Sequence, residues 1–478
     1  MSKKIHPKSE RGQAIIIIVL GIVGLLAFAG LMADGGILFI QYSRLKRATD
    51  AAAVAAALQY RAGYTPAELN GAAIEFVQLN QLTAYNIIVD TCVTDNTLCT
   101  MPRRKLVRVT VSMDVDFGFL PILGIDGTTI STSATGEAAS VDVVLVIDTS
   151  ASMAYETGGE PDKADHLNDD PSVCNLTNSC QPFKDIKAIA KTFVDTLYFP
   201  YDRVAIIALT GKTRLDENGD TIETRDPRVT LHLSDDKATV MAAIDNLTVF
   251  QPPNCDLEND YPDAGTCLDH FVDSETGEDK FAFNCPVFYK TGDPSSCTSS
   301  NIGYGLLLAG NEFAYPPSRE DSLWVTIILA GGPANASTPQ PADEPYFPYG
   351  YCPEATWDRP YCRDSDLDAS GNPLITRHAY NDPLYDADDY ARDMADFVAD
   401  SVDGQGAVVF SIGLGKLVRE GNPADGLADS GENLLEYAAL DAGSPNNNPG
   451  AYYYAPSTAE LVEVFRKIAE NIATRITQ

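Results

Sequence analysis

The stretch Val141-Asp142-Val143-Val144-Leu145-Val146-Ile147-Asp148-Thr149-Ser150-Ala151-Ser152-Met153 decides how the chain is read. Its opening residues are almost continuously apolar and β-branched, the pattern of a central strand buried on both faces. A carboxylate then appears where the strand should end, followed by hydroxyls at alternate positions. Ligands in open α/β sheets lie at the carboxyl ends of the strands. Asp148, Ser150 and Ser152 are therefore candidate oxygen donors to one hard cation, Mg²⁺ or another divalent ion.

Working outward, the same texture repeats downstream. Arg203 to Leu209, Leu323 to Ala330 and Ala407 to Leu414 read as further buried strands, with Val229 to Leu233 at an edge and a short strand at Tyr452 to Tyr454. Helical stretches are expected at 183–197, 237–247, 302–313, 385–402 and 458–474. Strands alternating with helices predict a doubly wound, mostly parallel α/β sheet over residues 141–478. Three long loops, at 154–181, 250–300 and 333–384, interrupt it and should emerge near the carboxyl face, where long loops on a rigid scaffold carry binding function.

The run ending in Asp148-Thr149-Ser150-Ala151-Ser152 resembles the first motif of the metal-ion-dependent adhesion site in von Willebrand factor A domains. Ser300-Asn301-Ile302-Gly303-Tyr304-Gly305-Leu306 is similar to the family's second motif, with Ser300 in place of the metal-binding Thr. The resemblance implies a Rossmann-like fold and a metal held by Asp148, Ser150, Ser152 and Ser300. It also implies a protein or surface ligand that bridges to the metal through an acidic residue. The third motif departs from the family: Leu329-Ala330-Gly331-Gly332 stands where an Asp is usual, so Gly331 supplies no carboxylate and affinity should fall. On that account a metal-free packing role stays open, in which the hydroxyls only cap the following segment.

The N-terminal region adds an anchor. Gln13 to Ala33 carries no charge and is long enough to cross the hydrocarbon core as a helix. Lys3, Lys4, Lys8 and Arg11 precede it, favouring a cytoplasmic N-terminus (residues 1–12), while Arg44, Lys46 and Arg47 follow it and leave the charge rule divided. The Ala-rich sequence after Asp34 continues the helical pattern as a stalk over 34–62. A cleaved signal peptide would have a shorter apolar core. Residues 63–140 read as a small spacer with strands near 105–115 and 128–134.

Arg11-Gly12-Gln13, Asp34-Gly35-Gly36 and Arg47-Ala48-Thr49-Asp50-Ala51-Ala52-Ala53 resemble the N-terminus of TadE/TadG-like proteins of the bacterial tight-adherence (Flp) pilus machinery. The resemblance implies partners in pilus or secretion machinery. Ile17 stands at the fifth position after Gly12, where prepilin-like substrates usually place Glu, so the anchor is expected to be retained.

A net charge of -33, with seven of the 34 basic residues in the first 47 positions, excludes nucleic acid as a partner, because phosphate binding needs clustered Lys and Arg. The ten cysteines (92, 99, 174, 180, 255, 267, 285, 297, 352 and 362) fall into five close pairs, without zinc-site spacing. They suggest disulfides formed outside the cytoplasm. Nearest-neighbour pairing is the expectation, although spacing alone does not fix connectivity. Asp364-Ser365-Asp366-Leu367-Asp368 resembles the start of a calcium loop, yet Ile375 stands where a bidentate Glu belongs. No nucleophile elbow, Walker loop or zinc-protease helix occurs, so no catalytic centre is expected. The chain reads as a single-pass cell-membrane protein with an extracytoplasmic binding domain.

Overall fold

From Gln13 to Leu58 the sequence offers no proline, and its five glycines, Gly35-Gly36 included, are outweighed by the Ala- and Leu-rich residues around them. In the computed structural model this stretch lies within one continuous helix, α1 (Arg11–Leu58). The structure describes residues 11–60, 64–82, 85–154, 171–215, 221–224, 227–250, 268–272, 279–283, 300–334, 377–379, 387–416, 418–419 and 431–476. The chain divides into two compact units, Met1–Ala138 and Ala139–Gln478.

In the first unit α1 is followed by α2 (Pro66–Leu79) and an antiparallel sheet in the order β1 (Asn86–Thr91), β2 (Lys105–Asp116), β3 (Gly127–Ala138). The Ala-rich half of α1 is the face that packs. Ala48, Ala52, Ala53 and Ala56 are buried, and a Cβ on Gly136 of β3 would lie only 2.3 Å from the Ala53 carbonyl oxygen. Small residues on both sides let backbone approach backbone. Helix α2 has a local signal that the strand-centred reading passed over. Thr65 accepts from the Glu68 N–H while the Glu68 carboxylate accepts from the Thr65 N–H, with Pro66 in the first turn, and Leu69, Ala73 and Val77 form its buried stripe. Cys92 and Cys99 form a disulfide here.

The second unit is the expected α/β fold. Among the described residues its main sheet has the order β13 (Ala451–Ala455), β12 (Val408–Leu414), β11 (Leu323–Ala330), β4 (Val141–Ile147), β5 (Arg203–Ala208), β8 (Arg228–Ser234). All neighbours pair in parallel except β8, which closes its edge antiparallel to β5. Two separate antiparallel pairs, β6 (Lys212–Leu215) with β7 (Thr221–Thr224) and β9 (Leu268–Val272) with β10 (Asp279–Phe283), complete the strands among the described residues. The helices are α3 (Pro171–Thr177), α4 (Phe183–Val194), α5 (Lys237–Asp245), α6 (Ile302–Ala314), α7 (Ala387–Ala399), α8 (Gly431–Leu440) and α9 (Thr458–Ile476).

Every residue of β4 is buried, and the period-two alternation of the strands feeds two cores. Val143, Leu145 and Ile147 face Phe183 and Phe193 of α4, Ile244 of α5 and Phe465 of α9. Val144 and Val146 face Ile302 and Leu306 of α6, Ala395 of α7 and Leu434 of α8. The glycines of the Asn-Ile-Gly-Tyr-Gly-Leu segment set the spacing of α6. A Cβ on Gly303 would lie 2.4 Å from the Tyr390 ring, and one on Gly305 would lie 2.3 Å from Leu209.

At the start of β4, Asp142 is 0% exposed and meets two arginines that are 3% and 7% exposed. Arg203 donates to it in a fork at 3.0 and 2.7 Å, and Arg319 makes a second ion pair from the other side. The arginines also donate to backbone carbonyls, Arg203 to Pro317 and Arg319 to Tyr201, each at 2.6 Å. Removing one partner from a buried charge cluster leaves the rest uncompensated. Asp142→Ala should destabilise the α/β unit by about 3–5 kcal/mol. Denaturant unfolding followed by tryptophan emission checks this, because Trp324 lies on β11 of this unit and donates to the Arg319 carbonyl.

Candidate functional site

The parallel ladder carries β4 one residue past its last strand position: the Asp148 N–H donates to the Leu329 carbonyl at 3.0 Å. Asp148 is thereby fixed at the carboxyl end of the central strand, between the ends of β11 and β5, with its side chain fully buried. Thr149 turns away and locks to the neighbouring strand end. Its hydroxyl lies 2.9 Å from that of Thr210 and accepts from the Thr210 N–H at 3.1 Å.

The Asp148 carboxylate gathers the site. One oxygen accepts the Ser150 N–H and the other the Gly331 N–H, both at 2.9 Å. The hydroxyls of Ser150 and Ser300 also hydrogen bond to it. Ser300 is placed by α6, whose first turn is capped by Asn301, the side-chain oxygen of which accepts the Tyr304 N–H at 2.9 Å. Of the residues singled out in sequence, Asp148, Ser150 and Ser300 are thus brought together. Ser152 lies in the turn Ala151–Ala154, and its side chain falls outside the described residues.

Gly331 stands where the resemblance would place an Asp, and the space beside its Cα is filled. A Cβ there would lie 2.3 Å from the Met153 methyl and 3.6 Å from an Asp148 oxygen. Met153, itself buried, fills the space with an apolar group. Sequence reading did not assign Met153 this role, nor did it find Asn175. The Asn175 side chain donates to the Val249 carbonyl at 2.8 Å and accepts the Val249 N–H at 2.9 Å. The next residue, Phe250, donates to the Thr149 carbonyl at 2.7 Å. The loop closed by the Cys174–Cys180 disulfide is therefore tied through Asn175 to the residue following Asp148. Both disulfides among the described residues join nearest neighbours, as expected. Cys255, Cys267, Cys285, Cys297, Cys352, Cys362 and the calcium-like loop from Asp364 lie outside the described residues.

Burial pushes the Asp148 carboxyl above its ordinary range, and the N–H groups of Gly331 and Ser150 and the two serine hydroxyls oppose that shift. Among the described residues, the groups that act most strongly on Asp148 are these N–H groups and hydroxyls, none of them basic. The donor set fits a hard divalent cation: one buried carboxylate with two hydroxyls against it and, among the described residues, no basic side chain as a leading partner. The fit is reduced by the missing second carboxylate. Among the described residues no cluster of three His, Cys, Asp or Glu side chains offers another metal position. His232 is engaged elsewhere, 2.8 Å from Glu312 and stacked on Tyr315, and His378 lies against Asp389.

No protein-family model matches the chain, and no curated protein matches it. Among solved structures it is similar to the PilB minor pilin from Streptococcus sanguinis, at 12% identity over 82% of this chain and 79% of that one, with a TM-score of 0.36. It is also similar to the open conformation of the pilus adhesin SpaC from Lactobacillus rhamnosus GG. There the identity is 13% over 83% of this chain and 34% of that one, with a TM-score of 0.33. A manganese-loaded TRAP protein from Plasmodium vivax aligns at 10% identity over 69% of this chain and 74% of that one, with a TM-score of 0.27.

A carboxyl with a raised folded-state pKa favours the protonated folded state. In metal-free solution its contribution is fully present below the ordinary Asp value of about 4 and is lost as pH rises through the raised value. The stability of Asp148→Asn relative to the unsubstituted chain should therefore grow from acid to neutral pH in the presence of a chelator. Thermal unfolding at a series of pH values reads this difference; a pH-independent difference contradicts it.

Proposed function

We propose that this chain is a membrane-anchored, extracytoplasmic binding protein associated with tight-adherence (Flp) pilus assembly. It holds a protein or surface ligand at the carboxyl face of its α/β unit and carries out no catalysis. The observation that carries the reading is the meeting of the Ser150 and Ser300 hydroxyls on the buried Asp148 carboxylate. The pilus association rests on the resemblance of roughly residues 10–140 to TadE/TadG-like proteins, and the membrane anchor on the apolar half of α1, which is long enough to span a bilayer.

Asp148, Ser150 and Ser300 would hold a divalent cation, with Ser152 as a further donor. Bound there, the cation supplies an electropositive bridge to an acidic group of the ligand. The chain's own part is to present the donors on a rigid strand end and to keep the carboxylate oriented through the N–H groups of Ser150 and Gly331. A second reading has its own support. Because Met153 fills the place of the third donor, the face also suits a metal-free scaffold component whose A-like unit only packs against neighbours.

Calorimetric titration of Mg²⁺ and Mn²⁺ into the full chain in detergent separates the two readings. Binding is expected for the unsubstituted chain and is expected to vanish in Asp148→Ala. The double variant Gly331→Asp/Met153→Ala, which makes room for a second carboxylate, should bind on the order of tenfold more tightly, because charge count sets affinity at such sites. Identical heats from the unsubstituted chain and Asp148→Ala would remove the metal and leave the scaffold.

A further inference from the structure

The connection between β2 and β3, Phe117-Gly118-Phe119-Leu120-Pro121-Ile122-Leu123-Gly124-Ile125, is apolar where hairpin connections are ordinarily polar. Phe119 is 52% exposed, Ile122 84% and Ile125 49%. The tip is nevertheless held in place. The N–H groups of Gly118, Phe119 and Leu120 donate to the Asp34 carboxylate of α1 at 2.8, 3.0 and 2.7 Å. A turn below, a Cβ on Gly30 would lie 2.8 Å from Phe119 Cβ. The tip is clasped to α1 at the level of Gly30–Asp34.

Around that level α1 is itself bare and apolar: Phe28, Leu31, Met32, Phe39 and Ile40 are all exposed. Exposed basic side chains return only at Arg44, Lys46 and Arg47. The bare surface from Ile15 to Ile40 runs about 38 Å along the helix, somewhat more than the roughly 30 Å hydrocarbon core. Asp34 falls in its last quarter, within or at the edge of the acyl region. A carboxylate at that depth has little water and must find its donors inside the protein, which the three N–H groups of the tip provide.

We propose that the β2–β3 tip is a second membrane-inserted element, with Phe119, Ile122 and Ile125 entering the lipid beside α1. The occupant of this apolar surface is the bilayer itself, because the tip continues the lipid-facing surface of the anchor and is tied to it at one depth. A lone helix leaves its tilt and rotation free, whereas helix and tip together fix the orientation of the first unit on the membrane. This inference rests on α1 being a membrane anchor.

The test reconstitutes the full chain in phosphatidylcholine liposomes with plain or acyl-brominated lipid and reads quenching of a tryptophan placed by substitution. The signal of Trp324 and Trp357, measured in the unsubstituted chain, is subtracted. Val23→Trp reports on the anchor, Ile122→Trp on the tip, and Met101→Trp on the opposite end of the sheet; all three positions are exposed, so none disrupts packing. Bromolipid is expected to quench the emission at 23 and 122 and to leave 101 unchanged. Quenching at 23 without quenching at 122 overturns the tip's insertion and keeps the anchor. A blue-shifted but unquenched emission at 122 would place the tip against protein, such as a second copy, and overturns it equally. Quenching at neither 23 nor 122 withdraws the anchor and the inference together, and equal quenching at 101 removes the specificity on which the inference depends.

Discussion

The second unit depends on a single constraint: β4 is buried along its whole length and carries an aspartate at each end. A charge taken out of water must be met by partners close at hand, and the two ends meet it differently. Asp142 has two buried guanidinium groups that are in turn held by backbone carbonyls, so its charge is matched and its geometry fixed. Among the described residues, the leading partners of Asp148 are N–H groups and hydroxyls. One end of the strand is therefore an electrostatic anchor, and the other is left short of positive charge. At an effective dielectric constant of about 20, a unit charge pair 4 Å apart gains about 4 kcal/mol. A cation arriving at Asp148 has that order of attraction to draw on, which a cation arriving at Asp142 would not find.

Close packing at small residues is the second theme, and it occurs in both units. Gly136 admits the Ala53 backbone in the first; in the second, Gly303 and Gly305 let α6 settle against α7 and the end of β5. The latter matters for the site, because the depth of α6 determines where Ser300 stands relative to Asp148. A side chain at Gly303 would meet the Tyr390 ring and the Ala391 backbone, push the helix outward and carry the Ser300 hydroxyl with it. Gly331 belongs to another class: its space is taken by the Met153 methyl, the end of a flexible side chain that can move.

Much of this was legible because the deciding signals are local. An uninterrupted apolar run implies a strand with neighbours on both sides, and hydroxyls just beyond it lie at the sheet's carboxyl end whatever the rest of the chain does. The short disulfides at Cys92–Cys99 and Cys174–Cys180 are legible for the same reason. Helix α2 was equally local, announced by Thr65-Pro66-Ala67-Glu68, but its capping signal is weak beside the periodicity of strands. What escaped reading joins residues far apart in sequence. Met153 fills the space at Gly331, Asn175 pairs with Val249, and Asp34 is clasped by residues 118–120. None of these pairings leaves a pattern within a window of ordinary length. The antiparallel direction of β8 is likewise a matter of how the chain returns to the sheet rather than of any residue in it.

The charge shortage at Asp148 bears on how the proposed binding would work. A divalent cation held by one carboxylate and neutral hydroxyls keeps about one unit of positive charge unbalanced, in a site screened from water. Such a site holds the cation weakly by itself and more tightly once an acidic ligand adds the missing charge. Cation and ligand are then linked thermodynamically: each raises the affinity of the other by the same factor. A site with the full complement of carboxylates would hold its metal regardless of ligand and lose that reciprocity. With Gly331 and Met153 where a further carboxylate would stand, control of a bound metal would pass from the protein to whatever acidic group is presented to it, and adhesion through this face would demand cation and ligand together.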